Sequence, residues 1–227
     1  MTIKAKTITG AVYERVKSDI LSGKYKPGHH LLEKELSEEL EVSRTPIRDA
    51  LIRLQEEGLV VLKPHKGVFV RKLTQRNIQD YYQTRAVLEG LGAELAAEHV
   101  TADAEEQFRQ LLKEMKKTLA EEVGPQSDEN IIKLNDQFHN FIFQLAGNEV
   151  LDKMRRTLAH PIALIRATSW INHDRKQEVF REHEQIIEAI IAKDKKLARE
   201  RAEMHIHKAW KSAEYNLHQL PGDEEGN

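Results

Sequence analysis

Apolar positions along this chain of 227 residues fall into three successive rhythms. Over 33–58 they recur at helical spacing: Leu36 and Leu40 on one short helix, then Val42, Ile47, Leu51 and Leu54, which places them inside a small core. After Gly58 the period changes. Leu59-Val60-Val61-Leu62 and Val68-Phe69-Val70 read as two strands joined by a tight basic turn, Lys63-Pro64-His65-Lys66-Gly67. Beyond Thr74 helical periodicity returns, and helices are predicted at about 76–99, 102–121, 128–146, 148–169, 175–193 and 195–216. Breaks fall at Thr101-Ala102-Asp103, Gly124-Pro125, Gly147-Asn148, Ile171-Asn172-His173 and Lys193-Asp194. Leu88, Leu91 and Leu95, then Phe108, Leu111, Leu112 and Met115, then Ile186, Ile187, Ile190 and Ile191, supply the expected apolar faces. Pro161, inside the fourth of these helices, is expected to bend it or free a carbonyl.

The break between the first two helices is short, and the second opens on Ser43-Arg44-Thr45-Pro46-Ile47-Arg48. Ser43 is the expected N-cap, its hydroxyl oxygen accepting from a first-turn amide. Pro46 sits in that turn, where a missing N–H costs little. Arg44 and Arg48, four apart, leave the same outward face and reach guanine edges or phosphates in a major groove. Arginines on a helix face are more often simply solvated. Two features favour DNA: the closeness of the preceding helix, and a basic hairpin directly after. At its tip Lys63, Lys66 and His65 can meet phosphate, and Gly67 permits close approach or a positive φ. The fold class is therefore mainly α: an N-terminal winged helix-turn-helix with a small β-hairpin wing over 1–73, and a C-terminal all-α helical bundle over 76–216. The acidic end, 217–227, reads as a disordered tail.

Charge divides at the same place. Residues 1–73 hold 14 Lys and Arg against 10 Asp and Glu, and the remainder 21 against 27. A modestly basic module joined to an acidic one suits a DNA contact backed by a sensor, with a homodimer on a two-fold symmetric, double-stranded operator supplying affinity. There is no run of roughly twenty apolar residues to span a membrane. The start lacks the charged-then-apolar layout of a secretory signal, so a cytoplasmic location is expected. With no cysteine, disulfides, thiol catalysis and thiolate metal sites are excluded.

The bundle carries histidines at suggestive places. His139 is flanked by Phe141, Ile142 and Leu145, with Asn135 four residues earlier on its face. His183 precedes Ile186-Ile187, and His205 lies on the last helix. Three imidazoles and an amide oxygen from three helices, pointing inward, would make a metal site. The alternative is a set of ordinary hydrogen-bonded core histidines. Asp136 points about 100° away from Asn135, and His207 is similarly offset from His205 as a second choice. Arg85, four before Glu89, reads either as half of a salt bridge or as the fork for a ligand carboxylate; Arg166 is a second candidate for the latter.

Residues 12–72 resemble the winged helix of the GntR family of bacterial transcription regulators. The matching words are Ile20-Leu21-Ser22-Gly23-Lys24-Tyr25-Lys26-Pro27-Gly28, the stretch from Leu32 to Leu36, Val42-Ser43-Arg44-Thr45-Pro46-Ile47-Arg48-Asp49-Ala50-Leu51, and Glu57-Gly58-Leu59-Val60. The helical stretch resembles the FCD sensor domain of the FadR branch. The resemblance implies DNA contacts from Lys34, Arg44, Thr45, Arg48, His65 and Gly67. It implies metal ligands at Asn135, His139, His183 and His205, with Asn standing where the family pattern has Asp or Asn. A neutral amide is the weaker ligand. Zinc is the default for imidazoles, with nickel, manganese or iron compatible.

The function expected is a transcription regulator, a repressor, controlled by a small organic acid bound at that metal through its carboxylate. A metal-responsive regulator and a purely structural metal remain as alternatives. A metal-dependent hydrolase is disfavoured, because no general base stands beside the ligands; Glu182, next to His183, is expected to turn away.

Overall fold

A computed structural model describes residues 7–120, 125–169 and 173–219. Its described residues fall into two compact units. One comprises Met1–Ile78 with Thr157–Trp170 and Ala213–Asn227; the other comprises Gln79–Arg156 with Ile171–Ser212.

The first unit begins with α1 (Ile8–Leu21), capped by the Thr7 hydroxyl, which accepts from the Gly10 amide at 3.1 Å. Val12, Tyr13, Val16 and Ile20 recur at helical spacing, and all are buried. Short α2 (Glu33–Glu39) and α3 (Arg44–Glu56) follow, the latter burying Ile47, Ala50, Leu51 and Leu54. Leu40 and Val42 pack against the same core, part-buried. Ser43 does occupy the N-cap of α3 with an extended backbone, but its side chain makes no cap hydrogen bond. Here the expectation is corrected: the hydroxyl is not what starts the helix.

Strands β1 (His30–Leu31), β2 (Val60–Lys63) and β3 (Gly67–Val70) form an antiparallel sheet in the order β1-β3-β2. The hairpin was legible; the third strand was not, since two residues carry no alternation. It pairs His30 with Phe69 and Leu31 with Val68, and the His30 ring stacks on Phe69 at 4.3 Å. That pairing explains Gly67. Its φ is +95°, and a Cβ there would lie 2.6 Å from His30 Nε2.

The other unit is built from most of α4 (Gln75–His99), α5 (Ala102–Ala120), α6 (Pro125–Ala146), the start of α7 (Glu149–Ser169), α8 (His173–Ile191) and most of α9 (Lys195–Gln219). No strand occurs in it among the described residues. Phe108, Met115, Phe138, Ile142, Ile186, Ile187 and Ile190 form its core. On α4 the buried stripe is not the leucines. Ala86, Ala93, Ala96 and Ala97 are buried, while Leu88, Leu91 and Leu95 are only part-buried. Small residues let neighbours approach closely: a Cβ on Gly92 would meet the Phe143 ring at 3.2 Å, and one on Gly90 would meet Glu203 at 2.7 Å. Helix α7 runs through Pro161 without ending. Its later half contributes Leu164 to the core of the first unit, where His160 Nε2 also lies 2.7 Å from Lys17 Nζ. The expected tail begins within α9, which reaches Gln219; 220–227 lie outside the described residues, as does the break at 170–172.

Burial decides the mutational outcome on α3. Leu54 is 0% exposed and Ile52, on the same helix, 51%. Leu54→Ala is expected to cost about 2–5 kcal/mol in urea unfolding followed by circular dichroism. Ile52→Ala should stay within about 0.5 kcal/mol.

Candidate functional site

Two groups of side chains stand out, one in each unit. In the first, Arg44, Thr45 and Arg48 project from the exposed start of α3, and Lys34 from the first turn of α2. Lys63, His65 and Lys66 are exposed on the wing, where His65 takes a φ of +60° and the Lys66 amide donates to the Lys63 carbonyl at 3.0 Å. Arg48 is not idle. Its Nε and Nη2 donate to Glu33 Oε1 and Oε2 at 3.1 and 2.9 Å. Five cationic side chains on a helix start, a neighbouring helix and a hairpin tip suit a polyanion with grooves.

In the second unit, His139 of α6, His183 of α8 and His205 of α9 converge. Their nitrogens lie within 4.8 Å of one another, and all three rings are buried. Each helix presents its histidine on the face that carries its apolar residues, so burying that face draws the imidazoles inward. Phe138 stacks on His183 at 3.8 Å with an 18° tilt, fixing that ring's plane.

The rings differ in their partners. His139 Nδ1 donates to Glu89 Oε2 at 2.9 Å, while its Nε2 accepts from Arg85 Nη2 at 3.2 Å; these partners assign the tautomer. Arg85 Nε also donates to Glu89 at 3.1 Å. His205 Nδ1 meets Glu182 Oε2 at 2.7 Å, and Arg175 grips the same carboxylate at 2.7 and 3.1 Å. His183 has neither: both ring nitrogens are buried without a hydrogen-bond partner. A buried polar atom left unpaired costs about 1–3 kcal/mol. Of these two nitrogens the one that bears the lone pair, set among two other imidazoles, is what an imidazole-ligated cation would satisfy, so the residues fit such an ion, while the ring's N–H would still need an acceptor.

The sequence had identified Arg85, His139, His183 and His205, and the structure brings these together. Asn135 is buried on α6, its amide nitrogen donating to Asp136 Oδ1 at 3.2 Å. His207 is exposed. The Arg166 side chain lies outside the described residues. Glu182 corrects the expectation that no general base stands beside the ligands, since its carboxylate meets His205. It does turn away from His183, its neighbour in sequence, but towards His205 of the next helix, and it is buried. Arg175, two turns before Glu182 on α8, was missed, although a seven-residue spacing places both on one face. Glu89 was read only as a partner for Arg85.

Burial pushes the imidazoles towards the neutral form. It takes His139 down to about 4 against the opposing pull of Glu89; His205 is lowered despite Glu182, and His183 well below its ordinary value. Burial would raise the carboxyls, but His139 and Arg85 hold Glu89 far below its usual range. His205 and Arg175 take Glu182 down to about 2. The stability consequence has a definite sign. A histidine with a lower pKa folded than unfolded takes up a proton on unfolding once the pH is below about 6.5. Protein freed of metal by chelator should keep its stability above that pH and lose it progressively as pH falls towards 4. Thermal unfolding at pH 7.5 and 5.0 checks this, and an unchanged midpoint would mean that the rings are solvated.

Comparison with known proteins bears on both groups. Residues 8–70 match the family model described as bacterial regulatory proteins, gntR family, and residues 80–208 match that of the FCD domain. The HTH-type transcriptional regulator YdhC of Bacillus subtilis is 29% identical over 195 residues, 86% of each chain. The Nta operon transcriptional regulator of Aminobacter aminovorans is 35% identical over 146 residues, 64% of this chain and 67% of that one. The HTH-type transcriptional repressor RspR of Escherichia coli is 27% identical over 183 residues, 81% and 78% of the two chains. Among solved structures, E. coli McbR/YncC superposes with a TM-score of 0.74 at 24% identity, covering 95% of this chain and 99% of that one. Such a likeness speaks for the fold. The matched families and the relatives are regulators of transcription rather than enzymes.

Proposed function

The chain belongs to the GntR family of bacterial regulatory proteins and carries an FCD domain, and from that premise we propose a metal-assisted, acid-responsive repressor. The observation that carries this reading is the buried His183 ring, whose two nitrogens have no partner while His139 and His205 face it.

Two copies of the first unit read successive major grooves of a palindromic operator. Arg44 and Arg48 address base edges, and Lys34, Thr45, His65, Lys66 and the Gly67 backbone set the register on phosphate. In the second unit His139, His183 and His205 would hold a divalent ion, zinc being the default for imidazoles, with Asn135 as an oxygen ligand. Once bound, the ion supplies a Lewis-acidic anchor for a carboxylate oxygen. Glu89 and Glu182 keep their histidines oriented through Nδ1, leaving Nε2 as the ligating nitrogen. Arg85 stands at His139 Nε2, and its guanidinium is the group that would turn to the acid's second oxygen; Arg166 is the other candidate. Charge supports an anionic ligand. Glu89 and Glu182, the carboxylates hydrogen-bonded to these imidazoles among the described residues, are already matched by Arg85 and Arg175, so they do not offset an added cation.

Repression is supported by relatives named as repressors, RspR among them. Neither a metal-responsive regulator nor a structural metal demands the arginine at His139, and that contact favours the acid-responsive reading.

Metal analysis and gel shifts on a sequence enriched from a randomised duplex library test the proposal. Arg44→Ala and Arg48→Ala should each weaken binding to the enriched sequence by about 1–3 kcal/mol. Glu182→Gln should lower metal affinity about 10–100-fold while leaving the ion's identity unchanged. Small carboxylic acids should alter operator affinity only with metal present. A response to chelator alone would make the protein a metal sensor, and no response to either would overturn the sensing half.

A further inference from the structure

Glu33 is an anion on the face proposed to meet DNA that the proposed contacts do not use. Glu33 opens α2, and its carboxylate grips Arg48 of α3 at two points, Nε to Oε1 at 3.1 Å and Nη2 to Oε2 at 2.9 Å. The pair is solvent-facing, Arg48 being 65% and Glu33 32% exposed, so it adds little to folding. Among Lys34, Arg44, Lys63 and Lys66 a carboxylate also lowers the attraction for phosphate, whatever the sequence. A costly charge in a weak pair suggests a task other than stability.

Arginine geometry supplies the task. A guanidinium carries five N–H donors in a rigid plane, and the clamp occupies one on Nε and one on Nη2. Both Nη1 hydrogens and the other Nη2 hydrogen remain, on the edge turned away from Glu33. That edge is the fork that pairs with O6 and N7 of guanine. The clamp therefore fixes rotation about the guanidinium before DNA arrives. Arg44, one turn earlier, has no carboxylate at hydrogen-bond distance among the described residues, yet its charge, after that of Arg48, helps hold the Glu33 carboxyl below its usual range. Ionised Glu33 thus faces both arginines.

We propose that Glu33 is a positioning residue for base reading: by holding Arg48 through Nε and Nη2 it presents the remaining fork to one guanine, sharpening discrimination at that G·C pair while weakening non-specific binding. The inference rests on α3 reading the major groove.

The test uses the full chain and a duplex enriched from a randomised library by the unaltered protein. Affinities are measured by fluorescence anisotropy for that duplex, for each single base-pair substitution and for a scrambled duplex. Glu33→Gln is expected to tighten binding to scrambled DNA severalfold at low salt. It should lower discrimination by about fivefold or more at a single G·C pair. Arg48→Ala should lose discrimination at that same pair, and Glu33→Gln should add nothing there in the Arg48→Ala background. Glu33→Asp, which keeps the charge on a shorter arm, should recover part of the charge effect but not the discrimination. Discrimination unchanged at every position overturns the proposal. So does a loss at a pair that Arg48→Ala leaves intact, since Glu33 would then be accepting from cytosine itself. Enrichment of no sequence by the unaltered protein removes the groove-reading premise instead, and the proposal with it.

Discussion

Three imidazoles and two carboxylates lie out of water in the helical unit, and the requirement that each find a partner organises everything around them. Burying an ionised carboxylate alone is prohibitive, so Glu89 and Glu182 each recruit an arginine and a histidine nitrogen. The result is two chains of the same composition, Arg85–Glu89–His139 and Arg175–Glu182–His205. Each ends on an imidazole whose Nδ1 is committed. Both chains point at His183, which has no carboxylate of its own and is held by stacking on Phe138 instead. The orientation of two rings is settled by hydrogen bonds and that of the third by packing. A cluster so arranged is rigid in its supporting groups and unsatisfied at its centre, which is how a ligand site differs from a structural polar core.

Much of this was legible in the sequence, and the failures have physical reasons. Helical period placed the helices beyond residue 74 and put His139, His183 and His205 on inward faces, because an amphipathic face must be buried somewhere. Period says nothing about which neighbour a face meets. Glu182 was set aside because it sits one position from His183, about 100° around the helix. Its partner, His205, belongs to another helix, and no spacing within α8 could reveal it. The leucines of α4 misled in another way. Leu88, Leu91 and Leu95 are the larger apolar groups, yet alanines and glycines take the tightest contact, since close helix approach favours the smallest side chains. Strand β1 escaped because two residues have no pattern. Ser43 sits where a cap belongs but leaves its hydroxyl out of the capping bond.

Helix α7 shows the same limit on a larger scale. Its sequence reads as one amphipathic helix among others, but its two halves belong to different compact units. Leu164 is buried in the core formed by α1, α3 and the wing strands, and His160 lies against Lys17 there. An apolar stripe shows that a helix buries a face without naming the core that receives it. His160 Nδ1, 3.4 Å from Glu57 Oε2, and Pro161, 3.8 Å from where a Gly58 side chain would begin, show how closely the later half approaches α3's end.

For an acid to act as a signal on the proposed reading, it must bind one arrangement of the protein better than another, and tight binding alone changes nothing. Arg85 provides a local source of such a difference. As it stands, its guanidinium is spent on Glu89 through Nε and on His139 Nε2 through Nη2. The bond to Glu89 can persist whatever else occupies the centre. The bond to Nε2 cannot persist once that nitrogen ligates a cation, because the lone pair serves one partner at a time. Nη2 is then a part-buried donor that has lost its acceptor, and a carboxylate oxygen removes that cost while offsetting the added positive charge. Cation and acid therefore reinforce each other through one guanidinium, so a site of this composition should bind the acid weakly without the ion.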